Sequence, residues 1–303
     1  MVKKAVLAAD TKTNIVLYAT SIVLSLFTVI LGAIPLRLLR LKVGAVKFMA
    51  LVFLAVAAFS VFKLYEMAVL YLAYSILVTS FTYFEEKSFN LVKSGLLSVL
   101  LTTGALALGF LVWFFQNQQN WYAQVQTYLS SKMDQVAFTD TKITEELYQS
   151  VIYQMPSGVI IILALGLFVA LAFERRLKLS VGLKGRPSFK LADFTLPDFM
   201  VWILIASLPL SFSNITGVPE EIRVIATNVF YISMLCYFFQ GMAVVQRYFE
   251  LFKIGMFWRL LWLFILVSHI YSIIFVAVLG IADVWLNFRL FFAKQIAKFK
   301  NKN

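Results

Sequence analysis

The sequence predicts an all-α protein, a polytopic transmembrane helical bundle of about eight spans with an amphipathic segment on its outer face. Three observations carry that prediction. Of 303 residues, 61% are hydrophobic and only 14% are charged, against about a quarter charged in soluble globular domains. The apolar residues fall in blocks near the ~20 needed to cross ~30 Å of hydrocarbon. The Lys and Arg behind the net charge of +12 stand in short connections between those blocks. That placement fits cationic loops held at an anionic leaflet and argues against a nucleic-acid partner.

The eight blocks are Ile15–Leu36, Gly44–Phe62, Met67–Phe84, Leu91–Phe115, Pro156–Phe173, Phe199–Ser213, Ile222–Val245 and Met256–Ala282. The basic start MVKKAVLAADTKTN is like that of a signal peptide. The apolar stretch after it exceeds an h-region of ~7–15 residues and lacks a small-residue cleavage site, so it reads as the first membrane helix. Between the second and third blocks, Lys63 and Glu66 stand at i,i+3, suited to a tight polar turn with an exposed ion pair.

The longest polar stretch is 116–155. Trp121, Val125, Tyr128, Leu129 and Val136 recur near helical spacing, and Ile143, Leu147 and Val151 do so again after the N-cap candidate Asp140-Thr141. Two amphipathic helices follow from this, serving either as an interfacial connector or as a lid over the bundle mouth. The Gly/Pro-punctuated basic run SVGLKGRPSFK, Ser180–Lys190, marks a boundary between residues 1–179 and residues 180–303. The tail Val284–Phe299 alternates cations with aromatic residues and reads as an interfacial helix.

Loop charges set the orientation. One set of connections holds Arg37, Arg40, Lys42 and Lys47; Lys87 and Lys93; Arg175, Arg176, Lys178, Lys184, Arg186 and Lys190; Arg247, Lys253 and Arg259. The opposite set holds only Lys63, Lys132, Lys142 and Arg223. The first set is therefore placed in the cytoplasm, with Arg175, Arg176 and Arg247 at the membrane interface. Eight full spans then leave both basic termini outside. Either an end block is not a full span, or the tails break the rule.

No nucleotide-binding loop, nucleophile elbow or dinucleotide fingerprint occurs, and one Cys and one His give no thiolate or zincin set. The expectation is no enzyme, no catalytic residue, no metal and no cofactor; Asp198, Asp283 and His269 are the only acid–base candidates. Polar groups inside apolar blocks are costly without partners. Asn228, Gln240 and His269 are thus candidates for ligand binding, together with Gly241 beside Gln240. Interhelical hydrogen bonding is the commoner role for the amides and for a lone neutral His, and Gly241 also suits close helix approach.

Several C-terminal stretches carry a resemblance: LPDFMVW (Leu196–Trp202), Asn228, YFFQGMAVV (Tyr237–Val245) and LGIADVWLNFR (Leu279–Arg289). In order and spacing they resemble the YybS-like family of bacterial membrane proteins, a domain of unknown function. Pro197, Asp198, Gly280, Asp283 and Arg289 are motif positions on that resemblance. The family is remotely similar to the substrate-binding S-components of energy-coupling-factor transporters, a grouping that includes a cell-shape protein of the MreD type. The resemblance implies a multi-pass protein of the bacterial inner (plasma) membrane. It also implies a small-molecule solute and a partner ATPase module. Eight blocks instead of six, and the 116–155 insertion, depart from an S-component. The alternative is a scaffold or cell-envelope assembly protein that contacts the lipid bilayer and a membrane protein partner without carrying a solute.

Overall fold

The computed structural model describes residues 2–116, 121–136, 145–183, 191–212, 218–288, 291, 292 and 294. Among them there is no strand. The helices are α1 (Val2–Phe27), α2 (Val29–Val43), α3 (Ala45–Val61), α4 (Tyr65–Glu86), α5 (Leu91–Gln116), α6 (Trp121–Val136), α7 (Glu145–Ser180), α8 (Met200–Phe212), α9 (Glu220–Leu251), α10 (Met256–Ser268) and α11 (Ile270–Leu286), with a 3-10 turn at Leu191–Asp193. In α4, α5, α7 and α9 there are stretches long and apolar enough to cross a membrane; Thr11–Phe27, Ala45–Val61, Met200–Ser211 and Tyr271–Leu286 are shorter apolar segments.

Two of the eight expected spans are broken. The first divides at Thr28, whose φ −150° and ψ 110° are extended. A Cβ on Gly32 would come within 3.0 Å of the Ser25 Cα, although residues seven apart lie about 10 Å apart along a straight helix. The chain therefore doubles back, and α1 and α2 form a hairpin packed side by side. Glycine is needed at position 32 because a side chain would fill the space taken by Ser25. Since α2 ends beside the basic loops, the hairpin turns Lys12 toward that same end. The first block is thus a helical hairpin and not one continuous helix.

The eighth block divides at His269, again in extended conformation (φ −132°, ψ 120°), between α10 and α11. His269 is thus an exposed residue at a helix junction, not a mid-span group. The turn after α3 is as tight as expected, with Lys63 at φ 58°.

Of the two amphipathic helices expected in 116–155, one is α6. The other is absent as a separate element, because Glu145, Leu147 and Val151 already belong to the 36-residue α7. The proposed cap Asp140-Thr141 and Ile143 lie outside the described residues. Burial and the adjacent Glu66 raise the Tyr128 hydroxyl above its ordinary value, which sets α6 against the first turn of α4.

One apolar core joins α1–α5 and α7 through Leu17, Leu36, Leu39, Phe48, Leu77, Phe81, Val99 and Leu163. Hydroxyls tie its helices together: Tyr18 donates to the Leu51 carbonyl at 3.0 Å, Ser21 and Tyr71 are 2.9 Å apart, and Tyr74 donates to the Ile162 carbonyl at 2.7 Å. A second core gathers Leu196, Val201, Leu204 and Tyr237, with Ile281 and Val284 against it.

Candidate functional site

Among the described residues, three polar junctions and an apolar crevice stand out. The first junction centres on Arg37. The sequence places Arg37 and Arg40 in a cytoplasmic loop, but both lie inside α2 and are buried. The Arg37 Nε donates to Glu174 Oε2 at 3.0 Å, and its two terminal nitrogens donate to Thr82 Oγ1 at 2.5 Å and Glu85 Oε2 at 2.6 Å. Its guanidinium also sits 5.0 Å from the Phe81 ring centroid. One planar fork thus fixes α2 to α4 and α7, a geometry that Lys could not reproduce. Side-chain exposure is 0% for Arg37 and 2% for Glu174, so the charges depend on one another for their solvation. The second oxygen of Glu174 is buried with no hydrogen-bond partner. Sequence reading missed this cluster because Glu174 adjoins the Arg175-Arg176 pair and looks like part of a solvated loop.

Asn228 makes the second junction. Pro156 interrupts α7, and its ring prevents a regular backbone ladder across that turn. In an unbroken helix the Ser157 N–H would bond the Tyr153 carbonyl. Instead the Ser157 N–H donates to Asn228 Oδ1 at 2.9 Å, while Asn228 Nδ2 donates to the Tyr153 carbonyl at 2.8 Å. A second bond from Nδ2, 2.9 Å to the Val224 carbonyl, holds the amide against its own helix. Asn228 therefore completes the backbone of α7 at its proline.

Gln240 makes the third. Its Oε1 accepts the Leu196 N–H at 3.1 Å, and its Nε2 lies 3.4 Å from Asp283 Oδ2; Gln240 and Asp283 are both buried. Residues from LPDFMVW, YFFQGMAVV and LGIADVWLNFR thus meet at one point. Beside it, α9 and α11 touch backbone to backbone. A Cβ on Gly241 would come within 2.8 Å of the Val276 carbonyl carbon, and one on Gly280 within 2.7 Å of the Gly241 nitrogen.

The remaining sequence candidates stand apart from these junctions. Pro197 and Asp198 are exposed in the turn before α8, where their carbonyls accept from Met200 and Val201. His269 carries no bond to Asn228 or Gln240 among those observed. Arg247 pairs with Glu250 at 3.8 Å in the last turns of α9. Arg175 and Arg176 fall within α7, but their side chains, and Arg289 altogether, lie outside the described residues.

The crevice has a volume of about 110 Å³ and lies between α5 and α9, with α7 behind it and Phe194 and Leu196 at one side. Phe168 and Phe239 stack across it at 4.6 Å. Apart from the Cys236 thiol, no lining side chain carries a polar atom, and Asn228, Gln240 and His269 are not among them.

All-helical architecture, apolar crossing helices and buried polar joints define a polytopic integral membrane protein. A family model described as Predicted membrane protein (DUF2232) matches residues 14–284, and the chain belongs to that family. No curated protein and no solved structure matches the chain.

Proposed function

We propose that this protein is a non-enzymatic scaffold or assembly component of a bacterial inner membrane, working through protein and lipid contacts. The observation supporting this reading is the engagement of its intramembrane amides. Asn228 and Gln240 each bond backbone groups of another chain segment, leaving their amides little capacity for a polar solute. A solute-specific site in a membrane bundle needs a few convergent polar groups that face a cavity. Here Asn228 is bonded to backbone groups of α7 and Gln240 to the Leu196 N–H and Asp283, and neither lines the crevice.

A second reading keeps the likeness to YybS-like proteins and S-components: a solute-binding component that depends on a partner ATPase. The crevice between α5 and α9 favours it, and its walls would select an apolar solute.

The deciding experiment is native mass spectrometry of the gently purified full chain beside Gln240→Ala. The scaffold reading expects lipids and a protein partner, both retained in the variant. A small polar molecule bound to the wild type and lost from the variant would replace scaffolding with solute capture.

A further inference from the structure

We infer that the crevice between α5 and α9 is a specific site for one acyl chain of an anionic phospholipid, with its headgroup at Lys93. This inference is independent of the scaffold reading. It starts from the packing: α5 and α9 each lean on α7 more than on each other. The gap between them opens past Leu96, which is 43% exposed although it lines the crevice. Hydrocarbon surrounds these helices, and a cavity with no polar wall gives water no partners. A lipid chain is the apolar material at hand.

Charge selects the lipid class. The crevice begins at Leu91, Val92 and Gly95, in the first turns of α5; exposed Lys93 is on the same turn, beside the crevice and outside its lining. Its ammonium lies 4.4 Å from the Phe89 ring centroid, and exposed Lys87 lies 5.8 Å from that of Tyr83. Opposite this pair the last turn of α4 brings one exposed carboxylate, Glu86. Two cations at headgroup depth, each held beside an aromatic face, favour a phosphate without a compensating choline.

The molecule supplies its own reporter and its own plug. Cys236 is the single cysteine of the chain and lines the crevice. Gly95 has open space where a Cβ would be added, so Gly95→Leu grows into the crevice without striking the fold.

The test uses the full chain in detergent with palmitoyl-oleoyl phosphatidylglycerol, or phosphatidylcholine of the same chains. Native mass spectrometry reads retention, and alkylation of Cys236 by N-ethylmaleimide reads occupancy. Phosphatidylglycerol is expected to be retained over phosphatidylcholine and to slow alkylation. Gly95→Leu weakens both lipids about tenfold, the loss from displacing two buried methylenes. Lys93→Ala weakens phosphatidylglycerol about fivefold, the value of one surface cation, and leaves phosphatidylcholine unchanged. Equal retention of the two lipids, unaffected by either substitution, overturns the proposal and leaves only annular lipid. Alkylation blocked by self-association of the chain, and not by lipid, overturns it as well. Should Gly95→Leu fail to fold, Lys93→Ala and the wild-type alkylation rates decide alone.

Discussion

Asn228 takes the Ser157 N–H that Pro156 has freed from its own helix, at 2.9 Å and across seventy-one residues of sequence. The same amide donates a hydrogen bond to the Tyr153 carbonyl. A proline in a long membrane helix is thereby made compatible with hydrocarbon, where unsatisfied backbone groups are costly. The repair also fixes the depth of α9 against α7.

Asn228→Ala exposes both orphaned backbone groups and is expected to destabilise the protein by about 1–3 kcal/mol. In a Pro156→Ala background α7 can close its own ladder, and the same substitution then costs clearly less. A double-mutant cycle by thermal unfolding in detergent checks this. Equal costs in both backgrounds would show that the amide serves something other than the proline.

Removing Arg37 strands two carboxylates. Arg37→Met should cost about 3–5 kcal/mol, the usual penalty for breaking a buried pair. Arg37→Met with Glu174→Gln recovers part of that loss. Arg37→Lys recovers little, because a single ammonium cannot face Glu174, Thr82 and Glu85 together. Unfolding midpoints of the three variants beside the wild type decide the matter; a neutral Arg37→Met would remove the cluster from the list of stabilising contacts.

Close approach of α9 and α11 depends on the absence of a side chain at two positions. Gly241→Ala and Gly280→Ala each drive a methyl into the backbone of the facing helix, at an expected cost of about 1–3 kcal/mol. Gly104→Ala, where a Cβ meets nothing, serves as the control and should be neutral or slightly stabilising. The comparison needs only melting temperatures.

The hairpin at Thr28 predicts a labelling pattern. With Cys236 replaced by Ser, a cysteine at Lys12 and one at Lys87 should react with an impermeant maleimide from the same side of sealed vesicles. Labelling of the two from opposite sides would restore the first block as a single span and refute the hairpin.

The scaffold reading and the solute reading differ at Gln240, whose two bonds join Leu196 and Asp283. Gln240→Glu places a carboxylate against Asp283, and should loosen the contact between the start of α8 and α11 without touching the Asn228 junction. Hydrogen exchange at the Leu196 amide is the direct measure; unchanged protection there would mean that Gln240 does not hold that strand of chain.

Composition and loop charge, both readable residue by residue, determined the class of this protein. Blocks of apolar residues separated by cations can satisfy the backbone in lipid only as helices, and the helices lie where those blocks are. Asn228, Gln240 and Gly241 were legible as unusual because a polar or missing side chain in an apolar run has a local cost. Their partners were not legible, since Ser157, Leu196 and Val276 are contributed by distant turns, the first two donating and the third packing through backbone atoms. Nor could the bend at Thr28 be read, because no proline or glycine stands at Thr28 itself, and Gly32 has meaning only once α1 is packed on α2. Arg37 shows the limit most plainly: its neighbours in sequence are those of a loop cation, while Glu174, 137 residues away, makes it a buried one. Tertiary structure decided which charges are solvated by water and which by each other, because that depends on distances the chain sets only when folded.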